Sequence, residues 1–215
     1  MLAICILFVS LCVVGLKALE FRNKANSVLS NEKWEMFTKQ VLKFKAPIVL
    51  FGDSQIAFWP VSICWGAQAV LNRGVAGEHS DAALHRFARD VINENAKTCI
   101  IEIGTNDIAH NGSPESIAAA IDSMISITQL AGVRPIICSI LPTTIEMSKI
   151  RPKSKIIETN NLFRLVCIKR NVQYIDLNDI LADNAGYLKD EYSKDGLHLS
   201  RKAYVRITYE IQKLI

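Results

Sequence analysis

The chain has 215 residues, 50% of them hydrophobic and 21% charged, a composition that suits one well-filled domain and is short for two. Its formal net charge of +4 is spread along the sequence without a sustained basic run, which argues against binding to nucleic acid. The 6 cysteines and 4 histidines lack the spacings of a disulfide framework or of metal ligands, so we expect neither.

Residues 1–19 form a hydrophobic N-terminal segment. No charged side chain occurs before Lys17, so exposing this stretch to water would be costly, and we expect it to enter a membrane or a translocon. A signal peptide and a short signal anchor both stay open, and the lack of an A-x-A-like cleavage site favours the anchor. We therefore expect a membrane-anchored or exported protein whose main domain is periplasmic or extracellular, although the charges flanking the segment do not set its orientation.

Residues 20–45 are predicted to link this segment to the main domain. Apolar side chains recur there at helical spacing, which predicts an amphipathic helix: Trp34, Phe37, Val41 and Phe44. The main domain is predicted to cover residues 46–215.

The first predicted strand, from Ile48 to Phe51, is a short apolar run between Pro47 and Gly52. An apolar run without alternation is typical of a strand that is buried on both faces of a parallel sheet. The strand leads into Gly52-Asp53-Ser54, and the carboxyl edge of such a sheet is where open α/β folds bind their ligands. The alternative is that these polar residues form only a turn and a helix N-cap.

Strands and helices are predicted to alternate along the rest of the chain. The predicted strands cover Ile48 to Phe51, Cys99 to Ile103, Pro135 to Leu141 and Val172 to Leu177. A further short strand starts at Val70 and breaks into a glycine loop that reaches Gly77. The predicted helices cover Asp81 to Asn95, Ser113 to Ala131, Ser154 to Lys169 and Ser200 to Leu214. This alternation predicts right-handed βαβ units and an α/β fold with a doubly wound sheet.

Two further loops are expected at the same edge of the sheet. Gly104-Thr105-Asn106-Asp107 follows the third strand as Gly52-Asp53-Ser54 follows the first. The loop after the fourth strand is basic, and we expect it to be solvated, with recognition of an anionic substrate as the alternative. Its four basic residues are Lys149, Arg151, Lys153 and Lys155.

Asp195-Gly196-Leu197-His198 places a carboxylate three residues before an imidazole, ahead of the last helix. A serine hydroxyl is a poor nucleophile until a base takes its proton, and an imidazole base needs an acceptor that holds it in one tautomer. Ser54, His198 and Asp195 are the side chains suited to these three roles. Ser54 does not lie in a G-x-S-x-G motif, which argues against an α/β-hydrolase.

With these blocks in order, the chain resembles the SGNH/GDSL hydrolase superfamily from about Ile48 to Ile215. The matching blocks are Gly52-Asp53-Ser54, Gly74, Gly104-Thr105-Asn106-Asp107 and Asp195-Gly196-Leu197-His198. The resemblance implies a three-layer α/β/α sandwich with a flavodoxin-like sheet of five parallel strands. It also implies a catalytic triad of Ser54, His198 and Asp195, and an oxyanion hole made by Ser54, Gly74 and Asn106. Gln55 departs from the family's motif, which has leucine at this position.

Other polar and aromatic residues near these blocks are assigned lesser roles. Exposed faces of Phe58, Trp59 and Trp65 could hold a sugar, although packing against the sheet is the commoner fate of such residues. The acids Asp53 and Asp107 are expected to be structural hydrogen-bond acceptors. The remaining histidines are expected at the surface or at helix caps: His79, His85 and His110.

Together these residues predict a serine esterase that needs no metal or organic cofactor. We expect it to remove short acyl groups, acetyl above all, from a small-molecule or glycan ester through an acyl-enzyme. A lipid acylhydrolase similar to lysophospholipases and an O-acyltransferase are alternatives that would use the same triad. A glycan-binding module without turnover is the alternative from another class of protein.

Overall fold

The computed structural model describes residues 47–215. The predicted hydrophobic segment 1–19 and the predicted linker and helix 20–45 lie outside the described residues. Within residues 47–215, no helix has both the length and the apolar composition needed to cross a membrane.

The centre of the described domain is a sheet of five parallel strands. The strands are β1 Ile48–Gly52, β2 Val70–Gly74, β3 Thr98–Glu102, β4 Arg134–Cys138 and β5 Gln173–Ile175. Their order across the sheet is β2-β1-β3-β4-β5, which is the flavodoxin-like order of a doubly wound fold. The α/β fold with a five-stranded parallel sheet is therefore confirmed.

Helices cover both faces of the sheet, and this explains why the strands are apolar without alternation. The α-helices are α1 Ser54–Ala57, α2 Val61–Cys64, α3 Ser80–Phe87, α4 Thr105–Ala109, α5 Pro114–Leu130, α6 Lys153–Arg170, α7 Asn178–Leu181 and α8 Arg201–Gln212. Val49 and Phe51 of β1 join the core that contains α3, α5 and α6 side chains. Leu50 joins the second core, which contains side chains of α1, α7 and α8.

Local sequence explains the ends of the longer helices. The Ser113 side chain accepts a hydrogen bond from the Ser116 amide at the start of α5, and Pro114 occupies the first helical position, as predicted. The Ser200 side chain caps α8 in the same way, accepting from the Ala203 amide.

Three predicted elements differ from the structure by several residues, and one of them is the fifth strand, which covers only Gln173–Ile175 instead of Val172 to Leu177. The predicted helix from Asp81 to Asn95 is an α-helix only to Phe87, and a π-helical turn, Ala88–Ile92, follows it. The fourth strand ends at Cys138 instead of Leu141 because its neighbour β5 ends level with it, where Cys138 pairs with Ile175. A strand continues only while a neighbouring strand accepts its backbone hydrogen bonds.

The pairing register brings three strand ends to one level. Gly52 lies opposite Gly74 on one side and opposite Glu102 on the other. The loops that carry Ser54 and Asn106 therefore leave the sheet side by side. The approach at Gly52 is close, since a Cβ there would lie 1.8 Å from the backbone oxygen of Glu102.

We expect Gly52→Ala to lower the free energy of unfolding by roughly 3 kcal/mol or more, because a methyl group there cannot fit without moving strand β3. Gly77→Ala is the control. Gly77 has a φ of +79° and no atom within 4 Å of its Cβ position, so alanine there costs only backbone strain, about 1–2 kcal/mol. Urea unfolding of both variants measures the difference, and equal losses would contradict the steric argument.

Candidate active site

Ser54 lies at the first position of α1, directly after the turn that ends β1. Asp53 forms the N-cap, where its Oδ1 accepts a hydrogen bond from the Gln55 amide at 3.0 Å. Ser54 is only 5% exposed. Among residues 47–215 its backbone N–H has no hydrogen-bond partner, so it is free to donate to a ligand.

A tight loop before α8 carries Asp195 and His198. Ser193 and Leu199 form an antiparallel bridge across its base, and Gly196 turns the chain with a φ of +91°. Oδ1 of Asp195 accepts hydrogen bonds from the amides of Leu197 and His198, at 3.1 and 2.7 Å. These bonds hold the carboxylate against the backbone of its own loop.

Asp195, His198 and Ser54 form a continuous chain of hydrogen bonds. Nδ1 of His198 lies 2.7 Å from Oδ2 of Asp195, and Nε2 lies 3.1 Å from Oγ of Ser54. A carboxylate beside Nδ1 favours the tautomer that carries its proton there, which leaves Nε2 to accept from the serine hydroxyl. Partial burial opposes ionisation of Asp195, yet the hydrogen bonds from His198 and Leu197 lower the pKa of Asp195 to about 2. The arrangement can therefore remove the serine proton during attack on an ester.

Asn106 and Gly74, the other two predicted oxyanion-hole residues, flank Ser54 at the sheet edge. Nδ2 of Asn106 donates to the carbonyl oxygen of Glu78 at 3.0 Å, which uses one of its two protons. The Gly74 amide donates to Oδ1 of Asn72 at 2.9 Å. The Asn106 side chain thus keeps a free proton, whereas the Gly74 amide is engaged.

The three aromatic residues near Ser54 differ in their surroundings. Phe58 is 50% exposed and its ring packs edge-on against His198, with centroids 5.0 Å apart. Trp59 is 4% exposed and its indole N–H donates to Thr208, and Trp65 is 2% exposed. The expectation of an exposed sugar-binding face is therefore wrong for both tryptophans, because each packs into the core between the sheet and α8. Phe58 alone of the three stays available to a substrate.

The remaining predicted residues lie around this site without joining the hydrogen-bonded chain. Asp107 accepts hydrogen bonds from the amide and the hydroxyl of Ser80, so it ties the loop after β3 to the start of α3. His79 and His110 are cap residues of α3 and α4, and His85 is exposed. Within the described part of the chain, no group of three or more His, Cys, Asp or Glu side chains could hold a metal ion.

The basic loop after β4 is not uniformly solvated. Lys149 is exposed, as expected. Arg151 is only 9% exposed, and its Nε donates to Oγ1 of Thr105 at 3.1 Å. The expectation of a solvated loop is therefore wrong for Arg151, because the loop folds back onto the helix that follows β3.

Residues 51–206 match the model of the GDSL-like lipase/acylhydrolase family. That range includes the strand end, the serine, the asparagine and the Asp-His loop described above. The chain belongs to the GDSL-like lipase/acylhydrolase family. It is an ester hydrolase.

The individual relatives of this GDSL-like hydrolase are distant from it in sequence. Platelet-activating factor acetylhydrolase IB subunit alpha2 from rat is 25% identical over 203 residues, which cover 89% of this chain and 87% of the relative. The human protein of the same name matches to the same extent. A GDSL-like lipase from Bacteroides thetaiotaomicron has a similar structure, with a TM-score of 0.73, 22% identity and coverage of 86% of this chain and 96% of that one. A lipase/acylhydrolase from Enterococcus faecalis gives a TM-score of 0.67 at 24% identity, covering 79% and 97%.

Gln55, the departure from the GDSL motif, links the serine turn to the histidine loop. Its Nε2 donates to the carbonyl oxygen of Leu197, the residue before His198, at 2.8 Å. Its own carbonyl oxygen accepts from the Tyr204 hydroxyl at 2.7 Å. A leucine could not make the first bond. The sequence shows that Gln55 is unusual, but only the structure shows that it contacts a residue 142 positions away.

Two buried acids lie behind the serine, and sequence reasoning missed one of them. Glu102 is 1% exposed and both its carboxyl oxygens lack a partner among the described residues. Burial, and then the nearby charge of Asp53, raise the pKa of Glu102 well above its ordinary value. Burial raises the pKa of Asp53 to about 7, although the Gln55 amide opposes this shift. A charged residue inside the apolar run of β3 was the available signal.

We expect Gln55→Leu to weaken both folding and hydrolysis. Loss of the bond leaves the buried Leu197 carbonyl unpaired, which costs about 1–3 kcal/mol of folding stability. Because His198 follows Leu197, we also expect kcat to fall by roughly tenfold to a hundredfold. Urea unfolding and ester hydrolysis measure the two effects. Gln68→Leu, the same change at an exposed residue, is the control, and equal results for the two variants would contradict a linking role for Gln55.

Proposed function

We propose that this ester hydrolase acts through a serine nucleophile and a covalent acyl-enzyme. The observation that carries the proposal is the hydrogen-bonded chain from Asp195 through His198 to Ser54, with contacts of 2.7 and 3.1 Å. The ring of Phe58 packs edge-on against the imidazole, with the two ring centroids 5.0 Å apart. These contacts favour a histidine held ready to accept the serine proton.

The proposed reaction has two halves. Ser54 Oγ attacks the ester carbonyl while Nε2 of His198 takes its proton, and the same nitrogen then gives that proton to the departing alcohol. Water next attacks the acyl-enzyme, losing a proton to His198, and the acid leaves as Ser54 regains that proton. Asp195 stays ionised throughout and stabilises the imidazolium.

The negatively charged oxygen of each tetrahedral intermediate needs hydrogen-bond donors to stabilise it. The Ser54 amide has no partner among the described residues, and Asn106 has an unused amide proton, so both are suited to this role. The Gly74 amide adds a third donor once the Asn72 side chain turns away from it. In this proposal the oxyanion hole is completed on substrate binding.

We expect Ser54→Ala to abolish hydrolysis of p-nitrophenyl acetate and labelling by a fluorophosphonate probe. Its thermal unfolding is expected to stay close to that of the wild type, because among the described residues the Ser54 hydroxyl has only His198 as a hydrogen-bond partner. Ser62→Ala, at an exposed serine of α2, is the control and is expected to retain both the hydrolysis and the labelling by the probe. Labelling of Ser54→Ala at the wild-type rate would reject Ser54 as the nucleophile.

The proposed substrate is a short-chain ester, an acetyl group above all, on a carbohydrate-like alcohol. The name of the platelet-activating factor acetylhydrolase relatives supports the acetyl group. The half-exposed ring of Phe58 beside His198 supports a sugar, whose apolar face packs on aromatic rings. The hydrophobic segment 1–19 supports a membrane-anchored or exported enzyme that meets its substrate outside the cytoplasm.

We expect kcat/KM on p-nitrophenyl acetate to exceed that on the octanoate by at least about tenfold, since one methylene changes specificity by roughly tenfold or more in a fitted pocket. Acetate release from acetylated oligosaccharides tests the alcohol. A preference for octanoate, with no acetate released from any sugar, would support a lipid acylhydrolase instead. Ester exchange onto an added alcohol would support an acyltransferase, and sugar binding without turnover would support a binding module.

A further inference from the structure

Arg151 is a charged side chain that the fold buries beside the active site. It is 9% exposed, and its Nε donates to Oγ1 of Thr105 at 3.1 Å. In the part of the chain that the structure describes, no carboxylate lies within ion-pair distance of it, and its terminal amino groups donate no hydrogen bond. Burying an unpaired charge is expensive, so such an arginine calls for a partner.

The guanidinium lies where the ends of β1 and β3 meet. Thr105, its hydrogen-bond partner, directly precedes Asn106. The Arg151 guanidinium is also close enough to Asp53, the residue before Ser54, to lower the pKa of the Asp53 carboxyl, although burial outweighs this effect. Its backbone is held as well, because the Arg151 amide donates to the carbonyl oxygen of Met147 at 2.9 Å.

The terminal amino groups of Arg151 are not completely enclosed by protein. Among the described residues, several side-chain nitrogen and oxygen atoms are fully buried without a hydrogen-bond partner, and none of them belongs to Arg151. Since the terminal nitrogens of Arg151 lack a partner as well, they retain contact with solvent at this edge of the sheet. A group bound next to Asn106 can therefore meet two parallel N–H donors, the geometry that fits the oxygens of an anion.

The buried acids do not supply the missing partner. Asp53 makes no ion pair with Arg151, and burial raises the pKa of Asp53 to about 7, which disfavours its charged form. Burial raises the pKa of Glu102 as well, far above its ordinary value. Among the described residues, no salt bridge therefore balances the charge of Arg151.

We propose that Arg151 binds an anionic group, of the carboxylate or phosphate class, on the ester substrate. The inference rests on the proposed function, since it places this group beside the ester that Ser54 attacks. Lys149 and Lys153 of the same loop do not share the role. Lys149 is exposed, and Nζ of Lys153 donates to the carbonyl oxygen of Ala185 at 2.8 Å.

Matched pairs of esters test the proposal on both sides of the bond. Mono-p-nitrophenyl glutarate against p-nitrophenyl valerate varies the charge of the acyl group, and 4-acetoxybenzoate against its methyl ester varies the charge of the alcohol. We expect the wild type to prefer the anionic member of one pair. Arg151→Gln is expected to lower kcat/KM for that ester by roughly tenfold to a hundredfold, mainly through KM, and for its neutral partner by less than about threefold.

The variants separate binding from folding. Arg151→Lys keeps the charge but not the fork, so we expect it to retain part of the preference even if Arg151→Gln folds poorly. Lys149→Gln is the control from the same loop and is expected to leave all four rates unchanged. Equal losses on the anionic and neutral esters, or a wild type that prefers neither anion, would overturn the proposal in favour of a structural arginine.

A second measurement needs no turnover, so it distinguishes failure of this proposal from failure of the proposed function. Glutarate, 4-hydroxybenzoate or inorganic phosphate is expected to raise the Tm of Ser54→Ala. We expect a smaller rise when Arg151→Lys is added to Ser54→Ala and none when Arg151→Gln is added. Comparing the three anions separates a carboxylate from a phosphate. Shifts of equal size with and without Arg151 would overturn the anion site even in an active hydrolase.

Discussion

The common level of three strand ends is the constraint on which the rest of the site depends. Gly52 lies opposite both Gly74 and Glu102, so the loops that follow β1, β2 and β3 start side by side. Backbone hydrogen bonds between parallel strands set this register, and the two cores that cover the sheet prevent it from slipping. The positions of Ser54 and Asn106 follow from this arrangement of the sheet.

The histidine reaches the serine through packing between distant segments. Three hydrogen bonds join the turn after β1 to the last loop and helix: Gln55 to Leu197, Tyr204 to Gln55, and Trp59 to Thr208. Because both chain segments are buried where they meet, these bonds are shielded from water and hold their geometry. The 3.1 Å contact between His198 and Ser54 is thus supported by α8 as much as by the loop itself.

The polar groups buried around the serine are costly to the fold. Asp53, Glu102 and Arg151 each lose hydration, and the acids respond with raised pKa values. Apolar residues in these places would cost less. The presence of three buried polar side chains beside Ser54 therefore favours a role for them in binding or catalysis. Arg151 is the one of the three whose charge does not depend on pH in the neutral range.

The sequence by itself determined the fold class, and it predicted the three side chains that the structure joins by hydrogen bonds, Asp195, His198 and Ser54. Apolar runs that end at glycine reveal parallel strands locally, and the chemistry of an activated serine limits which side chains can serve it. Only the tertiary structure decided that Trp59 and Arg151 are buried and that Gln55 contacts Leu197. Burial and pairing depend on side chains far away in the sequence, and no local pattern records which of two aromatic neighbours, Phe58 or Trp59, faces the core.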